Sequence, residues 1–330
     1  MGRAYQIVCV AVTVAALGAS AWAVDIETVP VGNPGNPNDA HGDGYGGVAY
    51  EYNIGKYEVS NAEYCEFLNA VATVGDLHGL YNTDMGGGWN DIGGISRTGS
   101  GTGGDPWVYT PRANRANRPV NYVSFWDACR FANWLHNGQA SADTENGAYT
   151  LTADGMANNT VTRNADCTWV VTSEDEWYKA AYYNGGSGVY YDYPTGSDTA
   201  PTSEAPAGTD MTNGSANYLD GAYVDPIYYT TECGAYDAKP SDSPYGTFDQ
   251  GGNLLELNEA IIYGLYRGVR GGSFTHNDLS LPASLRSYGY PTDEYHSVGF
   301  RVSEVPEPAT MAILMLGGIG VLRRRKCVRR

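Results

Sequence analysis

Two stretches of the chain have the apolar spacing of a helix that buries one face. In the first stretch the apolar side chains are Tyr64, Phe67, Leu68 and Val71. Positions i, i+3, i+4 and i+7 lie on one side of a helix, so this stretch is predicted to pack against a core. Ser60 and Glu63 form a capping box directly before it, which predicts a helix that begins after Ser60.

The second stretch follows Ser124, which is a natural N-cap. Its apolar face consists of Ala128, Phe131, Ala132 and Leu135. Another capping box, formed by Ser173 and Glu176, precedes a further segment with helical character.

Turn-forming residues dominate much of the remaining chain. Residues 24–47 and 86–104 are rich in Gly, Asn and Asp, and residues 184–245 read as loops with scattered short strands. Residues 49–59 have the composition of a strand. With 43 glycines in 330 residues, the chain is predicted to be one loop-rich globular domain at 48–304, preceded by a loop-rich arm.

The N-terminal end has the pattern of a secretory signal peptide. Arg3 supplies the positive charge, residues 7–17 the apolar segment, and Ala21-Trp22-Ala23 a small-x-small cleavage site. The apolar run is short for a membrane-spanning helix. We therefore expect residues 1–23 to be removed on export.

The C-terminal end has three elements in order. The Pro306-Glu307-Pro308 motif precedes an apolar run at 309–322 and a basic tail at 323–330. This order resembles the PEP-CTERM sorting signal, whose tail holds a protein in the inner membrane until an exosortase cuts near the motif. The resemblance implies a sorting segment at 305–330, an exosortase-type protease as partner, and a final location in the envelope or outside the cell. An ordinary C-terminal anchor is the alternative.

The charge of the chain narrows the choice of partners. The formal charge is −17. Removal of both ends takes away seven basic residues and one acidic residue, which leaves −23 on residues 24–305. Such a surface repels phosphate backbones, so nucleic acid is not expected as a partner.

Four ordered blocks resemble the formylglycine-generating enzymes, also called sulfatase-modifying factors. They read IGKYEVSNAEYCEFLNAVA, RPVNYVSFWDACRFANWL, WVVTSEDEWYKAA, and YGTFDQGGNLLELNEA with RGVRGGSF and VGFRV. The resemblance implies an α+β, C-type-lectin-like fold with two main helices, small antiparallel sheets and long loops.

The segment that carries the family's chemistry is altered. The active enzymes oxidise a substrate cysteine on a copper ion that two thiolates hold, since soft ligands select Cu(I). Here no cysteine lies between Cys233 and Cys327, and His276 and Leu281 stand where the pair is expected. Copper and catalytic residues are therefore not expected.

The resemblance also implies two calcium sites. The positions that match the first site are Asp249, Gly252, Leu254 and Glu256, and those that match the second are Asn217, Tyr218, Asp225 and Ile227. Carboxylate, amide and carbonyl oxygens are the ligands that calcium prefers. Solvated loop acids are the simpler alternative.

Four cysteines remain once both ends are removed. Cys65 and Cys129 fall within the two predicted helices, so a disulfide between the helices is possible. Four cysteines allow three pairings, and the sequence does not choose among them.

These observations favour a secreted or envelope-sorted binding module without catalytic activity. The 27 tyrosines suit recognition of glycan or protein ligands, because aromatic side chains provide contact area at low entropic cost. One alternative is a formylglycine-generating oxidase that acts on a sulfatase cysteine. Another is a structural component of the extracellular matrix.

Overall fold

The computed structural model describes residues 23–40, 44–139, 143–237 and 240–306. The predicted signal peptide up to Trp22 and the sorting segment beyond Pro306 therefore lie outside the described residues. Within the described ranges, no helix has the length and apolarity needed to cross a membrane.

The described residues form four α-helices. They are α1 (Asn61–Val71), α2 (Phe125–His136), α3 (Ala153–Ala157) and α4 (Glu174–Tyr182). Ser60, Ser124 and Ser173 cap α1, α2 and α4, each in a complete capping box. This confirms the three helix starts that the sequence predicted. The helix α4 adds a third element with a buried face to the two main helices.

Two four-stranded sheets and three two-stranded pairs complete the described fold. The strands are β1 (Thr28–Val31), β2 (Tyr52–Gly55), β3 (Ile95–Thr98), β4 (Val108–Pro111), β5 (Trp169–Val171), β6 (Tyr183–Asn184), β7 (Val189–Tyr190), β8 (Thr202–Ser203), β9 (Ser215–Ala216), β10 (Leu255–Ile262), β11 (Tyr266–Arg270), β12 (Ser287–Gly289), β13 (Val298–Phe300) and β14 (Val302–Glu304). The sheet orders are β1-β2-β14-β5 and β12-β11-β10-β13. The strand-like stretch 49–59 contains only the four residues of β2.

Two of the strand pairings are parallel, which differs from the antiparallel sheets that the resemblance implied. The pairs β10–β13 and β8–β9 run parallel. Parallel neighbours need a long crossover. The chain between β10 and β13 supplies one, because it forms β11 and β12 before it returns.

The core lies between the two main helices and the sheets. Phe67 of α1 and Phe131 of α2 pack edge-to-face with ring centroids 5.4 Å apart, and Phe131 also contacts Phe300 of β13 at 5.5 Å. Such pairs add about 0.5–1.5 kcal/mol each beyond the area they bury.

The proposed disulfide between α1 and α2 is absent. Cys65 and Cys129 are both buried free thiols. Burial raises the pKa of both thiols, to about 12 for Cys65. The thiolate needed for oxidation is therefore disfavoured at both positions, and they act as small core residues.

Candidate functional site

A buried ion pair lies at the centre of the family-like C-terminal block. Arg301 donates to both carboxylate oxygens of Glu256, with Nε–Oε2 and Nη2–Oε1 distances of 2.5 and 2.6 Å. The indole of Trp177 donates to the same Oε2 at 2.7 Å. All three side chains are fully buried. Because both oxygens of Glu256 have strong donors, the carboxylate is satisfied within the protein.

Two further acids surround this pair. Glu58 accepts hydrogen bonds from Asn253 and from the backbone N–H of Leu254. Burial, and secondarily the charge of Asp249, raises the pKa of Glu58 well above its usual range. Burial likewise raises the pKa of Asp249 to about 6. The region (Glu58, Asp249, Glu256, Arg301), here called the buried acidic centre, therefore contains more acid than base.

The geometry of this centre does not fit the first calcium site. Glu256 is fully engaged by Arg301, whose guanidinium already supplies the positive charge. The backbone N–H of Gly234 donates to Asp249 Oδ2 at 2.6 Å. In this structure the Glu256 carboxylate is thus half of a buried ion pair, and calcium binding by Glu256 stays a prediction. In the described part of the chain, no group of three or more His, Cys, Asp or Glu side chains could hold a metal ion.

The second calcium set leaves one oxygen in need of a partner. Asn217 is 2% exposed, and its Nδ2 donates to Tyr229 O and to Asn253 Oδ1. Those two acceptors fix the amide orientation. Oδ1 is then buried without a hydrogen-bond partner, which is costly unless a ligand or water meets it.

The other members of the second set are partly engaged. Asp225 Oδ1 accepts from the backbone N–H groups of Ile227 and Tyr228, and Oδ2 lies 3.3 Å from Arg118 Nη2. The carbonyl of Tyr218 accepts from Ser203 at 2.6 Å. The oxygens of this set are of the kind that calcium takes, and the orphaned Asn217 oxygen makes it the better fit of the two.

The positions of the missing cysteine pair have different surroundings. His276 is half-buried, with Nδ1 2.7 Å from Ser273 Oγ, and burial lowers its pKa. Leu281 is fully buried and packs with Ala216 and Tyr218. Leu281 is therefore a core residue, so these two positions do not form a metal-binding pair.

Beside this segment, four parts of the chain meet in an aromatic surface. It consists of Trp89, Tyr223, Tyr229, Phe274 and His296. Trp89 stacks on His296 at 4.5 Å and contacts Tyr229 at 5.0 Å. Trp89 is 36% exposed, whereas Phe274 is buried beneath the other rings. Partly exposed rings on a buried base are typical of a binding surface.

The backbone before Trp89 holds the ring in place. Gly88 has φ +63°, and a Cβ there would lie 2.3 Å from the hydroxyl of Tyr122. The same hydroxyl accepts a hydrogen bond from the backbone N–H of Trp89 at 2.7 Å. This close approach requires glycine at position 88.

Local sequence patterns do not predict this surface. Trp89 lies in the turn-rich stretch 86–104, and none of the five rings belongs to a local pattern that predicts a binding surface. The density of tyrosines was the one general indication, because the rings come from distant positions that only the fold brings together.

Comparisons with known proteins identify the domain. A sequence profile of the Sulfatase-modifying factor enzyme 1-like domain matches residues 47–305. The chain belongs to this family. No curated protein matches the chain significantly.

Solved structures agree with the family at the level of the fold. The crystal structure of CarF has a TM-score of 0.53 at 18% identity, and the match covers 86% of this chain and 99% of CarF. Treponema denticola variable protein 1 matches at TM-score 0.47 and 16% identity, over 84% of this chain and 95% of that protein. PvdO from Pseudomonas aeruginosa matches at 0.47 and 14%, over 85% and 91%. The match to CarF confirms the α+β fold of this sulfatase-modifying factor member.

The sorting prediction is also confirmed. A PEP-CTERM protein-sorting motif matches residues 304–326. The motif indicates an exported family member that an exosortase processes and that reaches the envelope or the exterior.

Proposed function

We propose that this chain is a non-catalytic binding module that recognises glycan or protein ligands through its aromatic surface. The observation that carries the proposal is the position of that surface. It includes Phe274, and it lies directly beside the segment where the family's cysteine pair is replaced. The module acts in the envelope or outside the cell, where the sorting motif sends it.

The altered segment supports binding over oxidation. His276 donates or accepts within a local hydrogen-bond network with Ser273, and Leu281 is part of the core. Neither side chain is a thiolate, and soft thiolates are what a Cu(I) centre requires. The oxidase alternative therefore has no ligand pair at the place where the family's chemistry occurs.

Calcium at the second set is part of the proposal. Asn217 contacts the backbone of Tyr229, since the Nδ2 of Asn217 donates a hydrogen bond to the Tyr229 carbonyl. The carbonyl of Asp225 accepts from the N–H of the same Tyr229. A cation bound to Asn217 and Asp225 would therefore hold in place the loop that presents Tyr223 and Tyr229. Its stabilisation would be modest, since extracellular calcium modules bind with Kd values of about 10⁻⁴–10⁻³ M.

The test is a screen of the purified full-length chain, in mild detergent, on glycan and peptide arrays with calcium and with a chelator. The proposal expects specific signals that chelation weakens. An empty result on both arrays would rule out the binding function and favour the structural-matrix alternative. A parallel incubation with copper and a Cys-x-Pro-x-Arg peptide is expected to leave the peptide unchanged, and its conversion would establish the oxidase alternative.

A further inference from the structure

A second aromatic feature lies on the four-stranded sheet that contains β10 to β12. Four tyrosines form a continuous row, here called the tyrosine row: Tyr263, Tyr288, Tyr266 and Tyr290. Successive ring centroids along it are 5.9, 4.7 and 4.7 Å apart. Three of the rings are strongly exposed, at 80% for Tyr263, 48% for Tyr288 and 51% for Tyr290. None of the rings belongs to the aromatic surface around Trp89.

One residue of the row, Tyr263, has a strained backbone conformation. Tyr263 and Gly264 are the central residues of the turn from β10 to β11, with φ values of +52° and +73°. Asparagine or aspartate is the usual non-glycine residue in such a turn, and a bulky side chain there is strained. An exposed tyrosine at a strained position points to a use for its ring in binding.

The chain around the row is free of charge. Residues 260–266 and 287–291 contain no Asp, Glu, Lys or Arg. The nearest acid along β12 is Asp293, which accepts from the backbone N–H of Tyr290 at 3.0 Å. On a chain of 37 acidic and 20 basic residues, the two segments of the row carry no charged side chain, and Asp293 lies at their edge.

That charge distribution decides between possible occupants. A second copy of the chain would bring its own negative charge, and anionic lipid or acidic polysaccharide would be repelled in the same way. An uncharged polymer with many hydroxyl groups meets no repulsion. The faces of tyrosine rings pack against apolar C–H surfaces, while their hydroxyls can exchange hydrogen bonds with a ligand.

We propose that the tyrosine row is a binding site for an uncharged polysaccharide chain that lies along β12 and the β10–β11 turn. The row is long enough to contact several successive sugar units, so many weak contacts add up. Tyr266 and Tyr290 have their hydroxyls 3.3 Å apart and present a pair of donors and acceptors to the polymer.

Native affinity electrophoresis of the full-length chain tests this proposal. Gels contain dextran, laminarin or hydroxyethylcellulose as neutral polymers, and alginate as the acidic polymer. We expect at least one neutral polymer to retard the protein and alginate to have no effect. The Tyr288→Ala/Tyr290→Ala variant is expected to weaken binding by about tenfold or more, because it removes two of the four rings, and tenfold corresponds to about 1.4 kcal/mol.

Three control variants separate the causes. Tyr295→Ala removes a ring of similar exposure (53%) outside the row and is expected to leave the retardation unchanged. Tyr288→Phe/Tyr290→Phe keeps the rings and is expected to retain most of it. Trp89→Ala removes the site of the proposed function and is also expected to retain it, so the two proposals can fail separately.

Several outcomes would overturn the inference. These are an absence of retardation in all three neutral polymers, or full retardation of the Tyr288→Ala/Tyr290→Ala variant with a native melting curve. Sedimentation velocity and flotation with phosphatidylcholine or phosphatidylglycerol vesicles complete the test. Self-association or vesicle binding that the same double variant abolishes would assign the row to a second copy or to a membrane.

Discussion

The buried acidic centre and the aromatic surface are joined through Asn253 and Asn217, but their side chains are arranged differently. In the centre, Glu256 and Arg301 are fully buried and satisfy each other. At the surface, Trp89 remains 36% exposed and its ring contacts other rings. The charged groups of the ion pair are thus bound to each other, whereas ring faces at the aromatic surface remain accessible to a ligand.

The family motif supplies structural contacts in this chain. The GNLLEL and GFR segments supply Glu256 and Arg301, and their pairing joins β10 to the end of β13. A fold needs that pairing whether or not the protein catalyses a reaction. Function then depends on the loops that surround it, which are where folds usually vary.

Breaking the centre is expected to have the largest effect. Arg301→Met leaves the buried Glu256 carboxylate without its positively charged partner, which should lower the free energy of unfolding by about 3–5 kcal/mol. Urea denaturation measures it. Lys56→Met is the control, because its partner Glu27 is 60% exposed and an exposed pair is worth at most about 1 kcal/mol.

A double variant keeps the prediction testable if the Arg301→Met protein does not fold. Glu256→Gln/Arg301→Met removes both charges and should recover part of the lost stability. If Arg301→Met were as stable as the wild type, the centre would not hold the fold together.

The excess acid in the centre predicts a pH dependence. Burial raises the pKa of Asp249 from 3.8 to about 6, so the folded protein keeps a proton that the unfolded chain has lost. The contribution of Asp249 to the free energy of unfolding therefore falls by at most about 3 kcal/mol as pH rises from about 4 to about 6. Above that pH the contribution of Asp249 is constant. Asp249→Asn should remove that part of the decline, while the contribution of Glu58 remains.

Urea midpoints across this pH range measure the effect. Asp105→Asn, at an exposed carboxylate, is the control and should leave the profile as in the wild type. An unchanged profile in Asp249→Asn would mean that Asp249 carries no raised pKa in the folded protein.

A smaller effect is expected from calcium. With about 1 mM calcium and a Kd of about 10⁻⁴–10⁻³ M, binding would stabilise the protein by about 0.4–1.4 kcal/mol. A chelator should lower the melting temperature of the wild type and leave that of Asn217→Ala unchanged. A chelator effect that persists in Asn217→Ala would place any calcium elsewhere.

The helix starts could be predicted because their signals are local. Ser60 and Glu63 lie three residues apart and satisfy each other whatever the rest of the fold does. The pairing of Glu256 with Arg301 spans 45 residues, and no local pattern predicts it. Only packing decides which partner a buried carboxylate receives.

The aromatic surface could not be predicted for the same reason. Trp89 and His296 are 207 positions apart in the sequence, yet their rings stack at 4.5 Å. The stacking of these rings depends on the conformation of the loops that carry them, and loop conformation is determined by long-range contacts. The absence of the cysteine pair can be read directly from the sequence, because it concerns residues within one short motif.

The most direct test of the account compares Trp89→Ala with Trp107→Ala on the arrays and in urea denaturation. Trp107 is the matched control, since it lies just beyond the turn-rich stretch 86–104. Its ring packs on Arg97 at 4.2 Å, away from the aromatic surface. We expect Trp89→Ala to weaken array binding by about tenfold or more while its unfolding free energy changes little, and Trp107→Ala to bind like the wild type. Undiminished binding by a folded Trp89→Ala variant would contradict the assignment of the aromatic surface as the binding site.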